Sequence, residues 1–186
     1  MIDSDKIYIV TGVPRSGTSL MMQILEKLGC EIQQDNVRTA DVSNPNGYYE
    51  YTPVKGIFKN NDFLMECKGK VVKIVTPLPV YLDLKYSYKV IFMRRDIDEI
   101  LMSQEKMLGK DQSAEREKFK LIYTKHIDQT KNFFEKNAVE YLEVNYNQLL
   151  KNSDVDLNAL LSFLNIDSTN NTIREVINPE LYRNKS

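Results

Sequence analysis

The stretch Lys6–Leu20, KIYIVTGVPRSGTSL, decides the fold. Its first six residues are rich in β-branched and aromatic side chains and run almost continuously apolar, the pattern of a strand buried on both faces. Gly12 and Gly17 then bracket a short turn, and from Thr18 onward Leu20, Ile24 and Leu28 recur on one face of a helix. Glycines let a backbone turn tightly and approach an anion closely, and the N–H groups at the start of the following helix carry partial positive charge. The segment is therefore expected to hold a phosphate or sulfate. The same residues also read as an ordinary strand, turn and helix with Ser16 or Thr18 as the N-cap.

Working outward, three more segments have strand character: Lys70–Thr76, Tyr88–Met93 and Val139–Asn145. Helix-length stretches separate them. One carries Ile97, Ile100, Leu101 and Leu108, and a long charged one runs from Ser113 to Glu135 with Phe119, Ile122, Tyr123 and Ile127 as its apolar stripe. Val155–Leu164 and Thr172–Ile177 follow. Apolar strands alternating with helices predict an α/β fold of three layers. The expected core is a mostly parallel central sheet of four to five strands flanked by helices, as in P-loop nucleotide-binding proteins, in a single domain over residues 1–186. Cys30–Glu50 has no clear period and contains the turn Asn44-Pro45-Asn46-Gly47, so it reads as a long binding loop.

Composition narrows the function. With 25 basic and 26 acidic residues the formal net charge is −1, which argues against wrapping nucleic acid or coating an anionic membrane, so any anion site must be local. No apolar run reaches the roughly 20 residues needed to span a bilayer. The opening residues Met1–Lys6 show neither a basic nor an apolar targeting pattern, and a cytoplasmic chain is expected. Cys30 and Cys67 belong to no Cys-x-x-Cys or Cys/His cluster, so they read as reduced packing residues and no metal site is expected.

The spacing of Gly12 and Gly17 is that of a P-loop, but the Lys that should follow the second glycine is Thr18. That Lys reaches the β- and γ-phosphates of a nucleoside triphosphate, and its replacement argues against ATP or GTP hydrolysis. The cation present is Arg15, whose planar guanidinium suits two-point recognition of phosphate or sulfate, beside the hydroxyls of Ser16, Thr18 and Ser19.

The loop Val13–Leu20, VPRSGTSL, resembles that of the P-loop sulfotransferases, above all small bacterial members and the protein-tyrosine type. A second segment, Tyr88–Ser103 (YKVIFMRRDIDEILMS), resembles the strand and helix with which that family binds a 3′-phosphate. Asn44–Glu50 (NPNGYYE), Lys70–Pro79 and Tyr141–Leu149 are also similar. The resemblance implies a sulfuryl transfer from PAPS, leaving PAP, to a small-molecule, saccharide or peptide acceptor. It implies that Pro14, Arg15, Ser16, Gly17, Thr18 and Ser19 hold the 5′-phosphosulfate, and that Arg95 and Ser103, eight residues apart, hold the 3′-phosphate, with Arg94 as the alternative to Arg95. It implies Lys73 as a second catalytic cation beside Arg15.

The catalytic His that family members carry two residues after that Lys is replaced here by Val75. His126, the chain's single histidine, lies far along in the charged helix and reads as a surface or packing residue. A carboxylate is the natural replacement base. Glu50 is the first candidate and Asp41 the second, each also readable as a solvated loop carboxylate. Tyr48, Tyr49 and Tyr51 read either as pocket lining or as core. The family's Gly-rich C-terminal segment is not recognisable, and Arg174 or Arg183 are the cations that would stand in for it. Two other functions fit the same loop: a P-loop kinase, disfavoured by Thr18 and by the absence of a clear magnesium-holding Asp at a strand end, and a PAP-binding protein without turnover.

Overall fold

A computed structural model describes residues 2–35, 37, 47–151 and 154–177. Five strands form one sheet: β1 (Lys6–Thr11), β2 (Ile32–Gln33), β3 (Val71–Lys73), β4 (Ser87–Arg94) and β5 (Glu140–Asn145). Their order is β2-β3-β1-β4-β5 and every pairing is parallel, with Ile9 of β1 level with Val72 of β3 and Val90 of β4. The α-helices are α1 (Thr18–Lys27), α2 (Ile97–Leu108), α3 (Arg116–Lys136), α4 (Tyr146–Leu150), α5 (Asp154–Leu164) and α6 (Asn170–Arg174). Among the described residues no helix is long and apolar enough to cross a membrane.

Alternation along the strands separates two apolar layers. Tyr8, Val10, Val71, Ile91 and Met93 face α1, α5 and α6, where Met21, Leu25, Leu157, Leu160 and Ile173 are buried. Ile7, Ile9, Val72, Val90 and Phe92 face the other way, toward Ile100 of α2 and Ile127 and Phe134 of α3. Phe134 meets Phe92 edge-to-face at 6.5 Å, a geometry that adds to its burial energy. The chain leaves β1 toward β3 on one side and returns through β4 on the other, so the strand order reverses beside β1. In open α/β sheets ligands bind at such a point, beyond the C-terminal ends of the strands.

Several boundaries differ from the sequence expectation. The strand expected over Lys70–Thr76 is paired as β3 only over Val71–Lys73, although the N–H groups of Ile74 and Thr76 still bond the carbonyls of Val10 and Gly12 at 3.0 and 3.1 Å. Pro77 and Pro79 lack the donors to continue it. β2 lies inside the stretch read as a loop, where two paired residues leave no period to detect. The long helix starts at Arg116 because Ser113–Glu115 forms a 3-10 turn. The last helix spans Asn170–Arg174 rather than Thr172–Ile177, yet Ile173 and Ile177 are both buried.

Cys30 and Cys67 are buried in the two different layers, on opposite faces of the sheet. Burial disfavours the thiolate, pushing Cys30 from 9.0 up to about 11 and Cys67 up to about 12. Both folded values lie above the unfolded one, so the unfolded chain releases these protons first and stability is lost as pH rises past about 8.5. The urea midpoint is expected to fall between pH 8 and 10, and less steeply in a Cys30→Ala/Cys67→Ala variant. A midpoint that rises over this range contradicts the burial of the thiols.

Candidate functional site

The turn between β1 and α1 is held in an unusual backbone conformation. Gly12, Arg15 and Gly17 all have positive φ, at 142°, 75° and 100°. The Ser16 N–H donates to the Val13 carbonyl at 3.0 Å, closing the turn. Two positions require glycine for space as well. A Cβ on Gly12 would lie 2.5 Å from Ser16 Oγ and 2.6 Å from the Met93 carbonyl, and one on Gly17 would lie 2.3 Å from the ring of Tyr146. The turn is therefore pressed onto the end of β4 and onto the start of α4. Neither Ser16 nor Thr18 caps α1: the N-cap is Gly17, with no side-chain bond and no acidic residue in the first turn. Ser16 is buried, and its Oγ has no hydrogen-bond partner among the described residues. A buried, unsatisfied hydroxyl beside uncapped helix N–H groups matches the needs of an anion.

Across the strand-order reversal, β4 ends at Arg94 and Arg95 follows directly, and the two side chains take different directions. Arg94 turns to the α3 side and pairs with Glu143 at 2.9 Å, in partial contact with solvent. Arg95 turns to the loop. Its Nη1 donates to the Arg15 carbonyl at 3.2 Å, and its Nε donates to Glu99 at 2.8 Å. Its guanidinium lies over the Tyr146 ring, 4.6 Å from the centroid. Asp96 is the N-cap of α2, accepting from the N–H groups of Asp98 and Glu99 at 2.9 and 3.2 Å. Asp96 thus caps the helix, while the Arg95 side chain is buried.

Ser103 sits two turns further along α2, and Arg15 Nε donates to its Oγ at 3.1 Å. Residues 80 and 88 positions apart in sequence are thereby joined twice, once by each arginine.

Lys73 closes β3, next to Val10 of β1, and is buried at 8% exposure. By alternation it shares the α1 side with Val71, and Val75, two residues on, is half-buried. Glu50 is tied through its backbone to the segment that follows β2. The Asp35 N–H, two residues past β2, donates to the Glu50 carbonyl at 3.2 Å, and Asp35 Oδ2 accepts from the Thr52 N–H at 2.5 Å. The bond from the Thr52 side draws the Asp35 carboxyl below its ordinary value. Glu50 itself lies 3.7 Å from Lys55.

Of the three neighbouring tyrosines, Tyr48 and Tyr49 are buried. Tyr49 donates its hydroxyl to Glu26 at 2.8 Å, and burial first, then this bond, raises its pKa. Tyr51 packs edge-on against Phe63 at 5.8 Å. His126 is half-buried on α3, and burial and Lys125 lower its pKa, so it is neutral at pH 7. Arg174 binds Asp154 of α5 at 2.6 Å, and its neighbour Glu175 pairs with Lys27 at the end of α1 opposite the loop, at 3.0 Å. Asp41, Asn44–Asn46 and Arg183 lie outside the described residues.

Sequence reading missed Glu99, Asn147 and Tyr146. Glu99 stands four residues after Arg95, a spacing at which a helix pairs opposite charges, and that signal was available. Tyr146 and Asn147 lie in the Tyr141–Leu149 stretch that resembles the family, but no local pattern there singles out either residue.

A family model described as "Sulfotransferase domain" matches residues 5–185. Among solved structures the chain is similar to the mouse sulfotransferase SULT7A1 complexed with PAP, with a TM-score of 0.59 at 17% identity, over 95% of this chain and 64% of that one. The chain thus spans less than two thirds of the mouse enzyme. It is also similar to the sulfotransferase domain of the Synechococcus PCC 7002 olefin synthase, with a TM-score of 0.52 at 13% identity, over 100% of this chain and 85% of that one. No curated protein sequence matches it significantly.

The contact of Gly17 with Tyr146 is directly testable. Gly17→Ala combines a strained φ with a clash and is expected to cost roughly 1–3 kcal/mol, read as a drop of several degrees in Tm. Gly29→Ala also has positive φ, but nothing lies within 4 Å of the added Cβ, so it carries the strain alone. Equal losses in the two variants contradict the packing of the loop on Tyr146.

Proposed function

The chain belongs to the sulfotransferase domain family, and from that we propose that it transfers a sulfuryl group from PAPS to a hydroxyl or amine acceptor. The observation that carries this reading is the double junction between the loop and β4–α2, in which Arg15 reaches Ser103 and Arg95 reaches the Arg15 carbonyl. PAPS carries a 5′-phosphosulfate and a 3′-phosphate on one ribose, so a protein that selects it needs two anion subsites a fixed short distance apart. In this reading Pro14–Ser19 hold the phosphosulfate on the uncapped start of α1. Arg95 and Ser103 hold the 3′-phosphate.

Transfer needs little covalent chemistry from the protein, as in phosphoryl transfer. The acceptor oxygen or nitrogen attacks sulfur, the bond from sulfur to the bridging oxygen breaks, and PAP departs with the electron pair. Arg15 and Lys73 approach that region from the ends of neighbouring strands and stabilise the charge that collects on the leaving oxygen. Glu50 takes the acceptor proton. The acceptor is a small molecule, saccharide or peptide, and the two buried thiols suit a reducing, cytoplasmic setting. A second reading, PAP binding without turnover, is favoured by Val75, an apolar side chain where relatives carry their base.

Variants separate these roles. Arg95→Ala removes a charged hydrogen-bonding partner worth about 1.5–3 kcal/mol, so the preference for PAP over AMP is expected to fall by roughly 10- to 150-fold. Arg15→Ala is expected to lower PAPS turnover by about two orders of magnitude or more, measured as PAP release with a panel of alcohols, phenols and amines. Glu50→Gln is expected to lower kcat with PAP affinity unchanged. Wild-type-like turnover in Arg15→Ala removes the loop from the mechanism. PAP binding with no turnover on any acceptor selects the second reading.

A further inference from the structure

Glu99 is a carboxylate where the chemistry of the site calls for cations. Its side chain is 2% exposed and that of its partner Arg95 6%. One oxygen, Oε2, accepts from Arg95 Nε at 2.8 Å, and the other, Oε1, accepts from Asn147 Nδ2 at 2.9 Å. A buried anion is costly unless its oxygens are satisfied, and here both are. With both oxygens engaged and almost no exposure, Glu99 is neither a proton acceptor for substrate nor a group that meets the donor. A negative charge beside an anion subsite also lowers the local positive potential. Its place there calls for an explanation other than charge.

We propose that Glu99 is a positioning residue that orients the Arg95 guanidinium toward the 3′-phosphate, a role resting on the donor assignment above. Arg95 is restrained on three sides. Glu99 holds its Nε edge, the Arg15 carbonyl holds Nη1, and the Tyr146 ring covers one face. Arg95 and Glu99 stand four residues apart across the start of α2, and Asn147 comes from the start of α4 beyond β5. The pair thus links the ends of two adjacent strands, with Asn147 steering the carboxylate and the carboxylate steering the guanidinium. An arginine on a flexible stem loses rotamer freedom when it binds an anion. In this arrangement that freedom is already lost on folding. Glu99 therefore increases selectivity for a 3′-phosphorylated nucleotide while reducing net positive charge, and it acts through Arg95 alone.

The test is the ratio of AMP to PAP dissociation constants, titrated calorimetrically on the whole chain at fixed salt, with Tm recorded for each variant. Glu99→Ala is expected to lower the ratio roughly 3- to 10-fold, through weaker PAP binding, with AMP binding changed less than about 2-fold. Removal of one member of a buried pair can unfold the protein, so Glu99→Gln is measured beside it. It keeps an amide oxygen for Arg95 Nε, and Asn147, whose Oδ1 has no partner among the described residues, can turn to accept its new N–H. It is expected to retain most of the ratio. Asn147→Ala, which frees the carboxylate to move, is expected to fall between the two. A wild-type protein with no preference for PAP removes the donor assignment and this role with it. A wild-type preference for PAP that survives undiminished in Asn147→Ala at lowered Tm, or in a folded Glu99→Ala, leaves the donor assignment standing and reduces Glu99 to a structural ion pair.

Discussion

The bond from Arg95 to the Arg15 carbonyl is the constraint on which the site depends. The carbonyl that meets this guanidinium belongs to a residue held at positive φ, within a loop whose Gly12 and Gly17 also have positive φ. The side chain of the same residue donates from Nε to Ser103 on α2. Each arginine thus fixes the segment that carries the other. In the proposed function, loop and helix form a single binding surface rather than two motifs that happen to be close, and a ligand with anions at both ends meets donors whose spacing is set before it arrives.

The sheet makes this possible. Because β1 lies between β3 and β4, the segments that follow all three strands open at one edge, and the order reverses there. Lys73 comes from the β3 side, Arg95 from the β4 side, and the loop stands between them. Glycines at positions 12 and 17 let the loop lie flat on Met93 and Tyr146. The two apolar layers on either side of the sheet supply the rigidity that holds these ends in register.

Much of the fold was legible in the sequence because its signals are local. The apolar run of β1, the glycine turn and the helical period of α1 occur within one continuous stretch, and the parallel sheet follows from strands alternating with helices. What escaped depends on residues distant in the chain. Which partners Arg94 and Arg95 take depends on residues far along the chain, Glu143 of β5 for the one and the Arg15 carbonyl for the other. The spacing from Arg95 to Ser103 had no local rationale until Arg15 was seen to bridge to Ser103. β2 is too short to produce a period, and the two prolines after β3 shorten that strand. Asn147 gave no sign of its link to Glu99, since 48 residues separate them.

The most direct test of this account is calorimetric titration of the wild-type chain with PAP, AMP and Mg-ATP under identical salt. PAP binding at least tenfold tighter than AMP or Mg-ATP, weakening as salt is raised, is the predicted result. Binding of Mg-ATP as tight as that of PAP, or equal binding of PAP and AMP, would contradict a site built around two linked anion subsites.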